Sequence, residues 1–174
     1  RQNEHLGDAA ERAAVAAEWL GTASYPQHTL TEAWKRFIFH QFHDDLTGTS
    51  IPRAYEFSWN DELISLKQFS QVLTSSVNAI AGQMDTRVKG TPVVLYNANA
   101  FPVSDLTEII LEQPKTPKGF TVYNAQGKKV ASKMIGYENG RDHILVEASL
   151  PAHSYALYDV RTGGSEKTIS PSAA

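Results

Sequence analysis

The sequence predicts an α+β chain, a three-helix bundle followed by an antiparallel β-sandwich-like domain. Three observations carry that prediction. Up to about Asp85 the apolar residues recur at spacings of three and four, the period of a helix with one buried face. Beyond Pro92 they fall in short, partly alternating runs broken by Pro, Gly and Asn, as in strands and their turns. The charge changes with the pattern: acidic residues outnumber basic ones in the first part, and basic residues outnumber acidic ones in the second. The boundary falls between Asp85 and Thr91, punctuated by Gly90 and Pro92. The expected organisation is a helical domain over 1–86, a β domain over 87–162 and a Gly/Ser/Pro-rich flexible tail or linker over 163–174.

In the helical part, Arg1 to about Leu20 is Ala-rich. Leu6, Ala9, Ala10, Ala13, Ala16, Ala17 and Leu20 make a shallow stripe that lets a neighbouring helix come close. Gly21 to Pro26 breaks the chain. A second helix is expected from Thr29 to Leu46, entered through a capping box of Thr29 and Glu32. Its buried face would hold Leu30, Ala33, Trp34, Phe37, Ile38, Phe42 and Leu46, and Gly48 would stop it. Ile51 to Tyr55 reads as a short turn carrying Arg53. The third helix is expected to start near Ser58 or Asn60, with Asp61 and Glu62 in its first turn. Leu63, Leu66, Phe69, Leu73, Val77, Ile80 and Met84 form its core stripe.

In the β part, Val93–Asn97 is a short strand, and Leu106–Glu112, with Ile109, Ile110 and Leu111, a buried one. Phe120–Tyr123 is expected to turn through Asn124 to Gly127 into a strand over Lys128–Ile135. Asn139-Gly140 is a hairpin turn, because both residues tolerate positive φ. Asp142–Ala148 and Ser154–Val160 complete five or six antiparallel strands.

Composition narrows the function. A chain of 174 residues with 41% hydrophobic content can bury a core. A net charge of −3 and the lack of a basic stripe with interleaved aromatics argue against nucleic acid as a partner. There is no cysteine, so neither disulfides nor thiol chemistry operates. No apolar run reaches the length of a membrane span, so no membrane partner is expected. No signal sequence is visible. The chain starts at Arg1, inside a helical pattern, and reads as an excised part of a larger protein. Oligomeric state stays open.

The densest polar chemistry lies in Gln41-Phe42-His43-Asp44-Asp45-Leu46-Thr47-Gly48-Thr49. A neutral imidazole is a good zinc ligand, and a carboxylate can bind metal, move a proton or accept a sugar hydroxyl. One His and one Asp are fewer ligands than a catalytic zinc takes, so on spacing alone a solvated polar helix end explains His43 and Asp44 better. His40 is expected to pack at the bundle edge, with a hydrogen bond toward the site as the alternative. Asp45 is expected at a solvated helix end. Thr47 and Thr49 should shape the turn through local bonds to the backbone. Asp44 and Asp45 are no glycosidase dyad, since adjacent helical residues point about 100° apart. His5, His28, His143 and His153 form no ligand spacing. Trp34 belongs to the core, while Trp19 and Trp59 are free to stack on sugar rings.

The full motif, with Leu30…Ala33-Trp34 before it, resembles that of glycoside hydrolase family 38, the α-mannosidases. Arg1-Gln2-Asn3-Glu4…Leu6…Ala9-Ala10-Glu11 resembles the family's Asn-Glu helix, and Tyr25-Pro26 its entry to the next helix. Pro92–Asn97 and Leu150-Pro151-Ala152…Tyr155 resemble strands of its C-terminal β region, so the likeness runs to about Thr162. The resemblance implies a retaining, metal-dependent α-mannosidase acting on terminal α-mannosides of glycans. His43 matches the zinc-ligating histidine, in a site with one divalent cation, and Asp44 an aspartate that binds mannose hydroxyls. The nucleophile and the remaining ligands would lie on an N-terminal catalytic domain that this chain lacks. The chain alone is therefore expected to be inactive and to bind zinc weakly. Phe42 departs from the Golgi and lysosomal members, which tend to carry a second His there, and matches the bacterial and cytosolic branches. Localisation stays unassigned, with a lean toward a bacterial periplasmic or extracellular protein. The alternative is a non-catalytic carbohydrate-binding or structural module.

Overall fold

The computed structural model describes residues 1–112 and 119–163, which fall into two compact units divided between Met84 and Asp85. The expected tail over 163–174 lies, after Gly163, outside the described residues.

The first unit is helical: α1 (Gln2–Trp19), α2 (Gln27–Phe39), α3 (His43–Leu46) and α4 (Pro52–Ala81). Both α1 and α2 pack on α4. Small residues make up much of the buried faces of α1 and α4: Gly7, Ala10, Ala13, Ala14 and Ala17 on α1, and Ser58, Ser65 and Ser76 on α4. Small side chains let helix backbones approach closely. The buried stripe of α1 is rotated from the predicted one, for Gly7 and Ala14 are in it and Leu20 is exposed. Larger side chains close the core. Phe69 is fully buried, its ring edge-on to Trp34 with centroids 4.9 Å apart, and Leu30, Ala33 and Val72 pack round it. Gly7 favours this packing, because a Cβ at that position would stand 2.7 Å from Trp34 Cζ2.

Three boundaries differ from the sequence reading. The predicted second helix is broken: α2 ends at Phe39, and Ile38, Phe42 and Leu46, expected on its buried face, are exposed. Its entry has no side-chain cap bond; Pro26 occupies the N-cap position instead of a Thr29–Glu32 box. The last helix starts at Pro52, with proline in the first turn, where a missing N–H costs nothing. Ile51–Tyr55 is thus its entry, and Leu63 in its predicted core stripe is exposed.

The second unit is made of antiparallel strands: β1 (Thr91–Asn97), β2 (Val103–Glu112), β3 (Phe120–Asn124), β4 (Lys129–Val130), β5 (Ser132–Glu138), β6 (Arg141–Leu150) and β7 (Ser154–Thr162). They form two sheets, ordered β1-β7-β3-β4 and β2-β6-β5. One apolar cluster draws on both, with Phe120, Val122, Tyr158 and Val160 from the first sheet and Ile109, Leu111, Ile144 and Val146 from the second. The expected strand over Lys128–Ile135 is split at Ala131, its start pairing with β3 and its continuation with β6. In β2, burial alternates, so Ile109 and Leu111 are inside and Ile110 is exposed. Asn139 (φ 51°) and Gly140 (φ 79°) make the tight turn between β5 and β6, where Glu138 pairs with Arg141.

Candidate functional site

The site begins where α2 stops. After Phe39 the backbone tightens: the Gln41 N–H donates to the Ile38 carbonyl (3.0 Å) and the Phe42 N–H to the Phe39 carbonyl (3.4 Å). Phe42 is extended, at φ −60° and ψ 145°, so the chain changes direction before α3 starts at His43. Beyond this change of direction Phe42 and Leu46 are exposed, whereas Ile38 is already exposed within α2.

The break is held by polar bonds. The His40 side chain is only 6% exposed. Its Nδ1 lies 3.0 Å from Asp45 Oδ2 and its Nε2 3.1 Å from Asp61 Oδ2. Asp45 also accepts from Ser50 Oγ at 2.8 Å and from Ser58 Oγ at 2.9 Å. Arg36 Nη1 reaches Asp61 Oδ1 at 3.3 Å. The end of α2, the short α3 and the first half of α4 are thereby tied together. Buried polar groups need such partners, and the ionisation follows. Burial pulls the His40 pKa down, but the bonds to Asp45 and Asp61 outweigh it and the net effect is upward. Asp45 is held below the ordinary carboxylate value, first by His40 and then by Ser50 and Ser58.

The turn after α3 is fixed by its own backbone. The Asp44 carbonyl accepts the N–H groups of Thr49 (3.0 Å) and Ser50 (3.1 Å) and the Tyr55 hydroxyl (3.3 Å). Thr47 Oγ1 donates to the His43 carbonyl at 2.6 Å, and Thr49 Oγ1 to Asp44 Oδ1 at 3.2 Å. Gly48 takes φ 77°, a left-handed conformation that suits glycine.

His43 and Asp44 emerge from this frame facing outward, with side chains 75% and 51% exposed and His43 Nε2 3.6 Å from Asp44 Oδ2. The Phe42 ring lies against the imidazole, centroids 4.1 Å apart. Asp44 and Asp45, adjacent in sequence, serve opposite sides of the turn, one open and one enclosed. An imidazole beside a carboxylate suits a zinc-like cation chemically. Two donors fall short of the three a catalytic zinc takes from protein, and no cluster of three His, Cys, Asp or Glu that could hold a metal occurs among the described residues. The pair can therefore contribute to a metal site whose other ligands come from elsewhere.

Two sequence expectations are corrected here. Asp45 is no solvated helix end: its side chain is 16% exposed and carries three hydrogen bonds. His40 does not merely pack but joins two carboxylates. The signal for both was the crowding of two imidazoles, His40 and His43, and two carboxylates, Asp44 and Asp45, near one helix end, since any of them that is buried requires a partner. Thr47 and Thr49 shape the turn as expected. Of the other candidates, His5, His28 and His153 are exposed and apart, and His143 Nδ1 lies 2.6 Å from Glu108 Oε1. Trp34 sits against the core, its indole N–H donating to Glu11 at 2.8 Å, whereas Trp19 and Trp59 are exposed.

Comparison with known proteins places this frame. The family model of the alpha mannosidase middle domain matches residues 1–80. Alpha-mannosidase G of Dictyostelium discoideum is 26% identical over 86% of this chain, which spans 15% of that protein's length. An α-mannosidase from Enterococcus faecalis V583 superposes with a TM-score of 0.79 at 18% identity, covering 99% of this chain and 24% of its own. A protein of glycosyl hydrolase family 38 from Enterococcus faecalis gives 0.78 at 18% identity, covering 97% and 25%. The two structures share the fold of the chain, and this chain spans no more than a quarter of any of these three proteins. Residues 1–80 thus match the alpha mannosidase middle domain, and most of the chain is similar in sequence to an α-mannosidase.

Proposed function

We propose that the chain forms the middle domain and the start of the C-terminal β region of a retaining, metal-dependent α-mannosidase that hydrolyses terminal α-mannosides of glycans. In this reading α1, α2 and α4 are the three-helix bundle of the enzyme, and the two sheets begin its β-sandwich. The observation that carries it is the outward presentation of His43 and Asp44 side by side, on a turn fastened from behind by Asp45. His43 would hold a zinc ion together with ligands of an N-terminal catalytic domain, and Asp44 would accept hydrogen bonds from mannose hydroxyls. Zinc bound there supplies a positive charge that fixes sugar hydroxyls and favours charge developing in the transition state. A carboxylate of the catalytic domain attacks the anomeric carbon, and a second one protonates the leaving oxygen.

The test uses the longer protein that carries this chain. It should hydrolyse an aryl α-mannoside, and proton NMR should show the α-anomer of mannose as the first product. Asp44→Ala should cut kcat/KM, with the 174-residue chain alone inactive. A longer protein without α-mannosidase activity, or one releasing β-mannose first, would overturn the reading. So would full activity in Asp44→Ala.

A further inference from the structure

We propose that His40 is a positioning residue for this site: by joining Asp45 of α3 to Asp61 of α4, it sets the direction in which His43 and Asp44 point. What those two residues do rests on the functional reading above; the geometry that aims them does not.

The argument starts from the weakness of α3. It is four residues long. So short a helix has no stability of its own, and none of its residues is buried in the core. Its orientation must come from tertiary polar bonds. Asp45 takes three, from His40, Ser50 and Ser58, and the Tyr55 hydroxyl of α4 adds one at the Asp44 carbonyl while accepting the Ser50 N–H. Ser50 moves with the same turn. Ser58 stands on α4, but its hydroxyl also bonds its own helix at the Ala54 carbonyl (3.1 Å). His40 differs from both. Its ring is enclosed, each nitrogen meets a different carboxylate, and those carboxylates sit on α3 and α4. A carboxylate accepts and does not donate, so both ring nitrogens serve best as donors. A planar ring bonded at two edges cannot turn without breaking both bonds. Removing it leaves Asp45 and Asp61 facing each other across the vacated site, with Arg36 as the nearby cation on Asp61. Like charges in one enclosed place repel, which drives α3 away from α4 and takes His43 and Asp44 with it.

A purely structural role would loosen the whole helical unit, whereas a positioning role loosens residues 43–50 while α4 stays ordered. Backbone 15N relaxation on the 174-residue chain separates the two. In the wild type, residues 43–50 should have order parameters near those of α4, about 0.85. In His40→Phe, which fills the space but donates nothing, they should fall below about 0.6 with α4 unchanged. His40→Gln, whose amide nitrogen carries two N–H donors, should restore most of the order. Unchanged order in His40→Phe, or no recovery in His40→Gln, overturns the proposal. If His40→Phe does not fold, Asp61→Asn gives the same reading: it keeps shape but weakens one bond, and unchanged order at 43–50 overturns the proposal equally.

In the longer enzyme, His40→Phe should lower kcat on an aryl α-mannoside roughly 10–100-fold, as loss of a ligand-orienting partner does, and His40→Gln should recover most of it. A wild-type enzyme inactive on mannosides refutes the functional reading, while the relaxation result still decides the role of His40. An active wild type with order and kcat both unchanged in His40→Phe refutes the positioning role and leaves the functional reading standing.

Discussion

His40 Nδ1 lies 3.0 Å from Asp45 Oδ2, a bond that joins the end of α2 to α3 across the break between them. The charged groups facing His40 are Asp45 on α3 and Asp61 on α4, with Arg36 of α2 behind Asp61. The folded His40 pKa is raised. Its contribution to stability is therefore fully present below the unfolded value of about 6.5 and is lost as pH rises through the raised folded value. Asp45 is shifted down. Its contribution is present above the unfolded value of about 3.9 and is lost as pH falls through the depressed folded value. Urea unfolding of the helical unit should thus show a stability plateau between about pH 4 and pH 6.5. The decline above it should be absent in His40→Phe. An alkaline decline identical in the variant would assign it to other groups.

Gly7 tests the close approach of α1 to the aromatic core. A methyl group there meets Trp34 Cζ2 at 2.7 Å and Phe69 Cζ at 3.2 Å. Alanine improves helix propensity by up to about 1 kcal/mol, but overpacking costs roughly 1–3 kcal/mol. Gly7→Ala should therefore be neutral to destabilising by about 2 kcal/mol and should shift the Trp34 fluorescence. A stabilised variant with unchanged emission would contradict the packing described.

Tyr158 offers a parallel test in the β unit. Its hydroxyl accepts the Ser149 N–H at 3.1 Å and donates to the Ser149 carbonyl at 3.3 Å, near the end of β6. The ring belongs to the core that draws on both sheets. Tyr158→Phe keeps the ring and should cost about 1 kcal/mol in denaturant unfolding, with faster amide exchange at Ser149. Unaltered exchange at that amide would show the hydroxyl to be idle.

Much of this architecture is legible in the sequence because it follows from apolar spacing. Phe69 and Ile80 sit inside α4, Ile144, Val146 and Ala148 inside β6, and Asn139-Gly140 turns where its φ preference puts it. The break at His40 is not legible in that way. Ile38, Phe42 and Leu46 continue the period of α2, yet the helix ends at Phe39, where His40 bonds Asp45 and Asp61. Periodicity records which residues share a face if a helix continues; it does not record a distant carboxylate that makes stopping favourable. The split at Ala131 has the same character, since a change of sheet is decided by partners far along the chain. His43 and Asp44 stand out as a pair by motif, and His40 and Asp45 by crowding beside them, while Asp61, on α4, carries no local signal.

The central claim is that His43 is a zinc ligand in the longer enzyme. Metal content of the purified enzyme, wild type against His43→Ala, tests it most directly. The account predicts zinc bound at each active site of the wild type and lost from His43→Ala, together with hydrolysis of aryl α-mannosides. Zinc retained in full by His43→Ala, with undiminished hydrolysis, would contradict it.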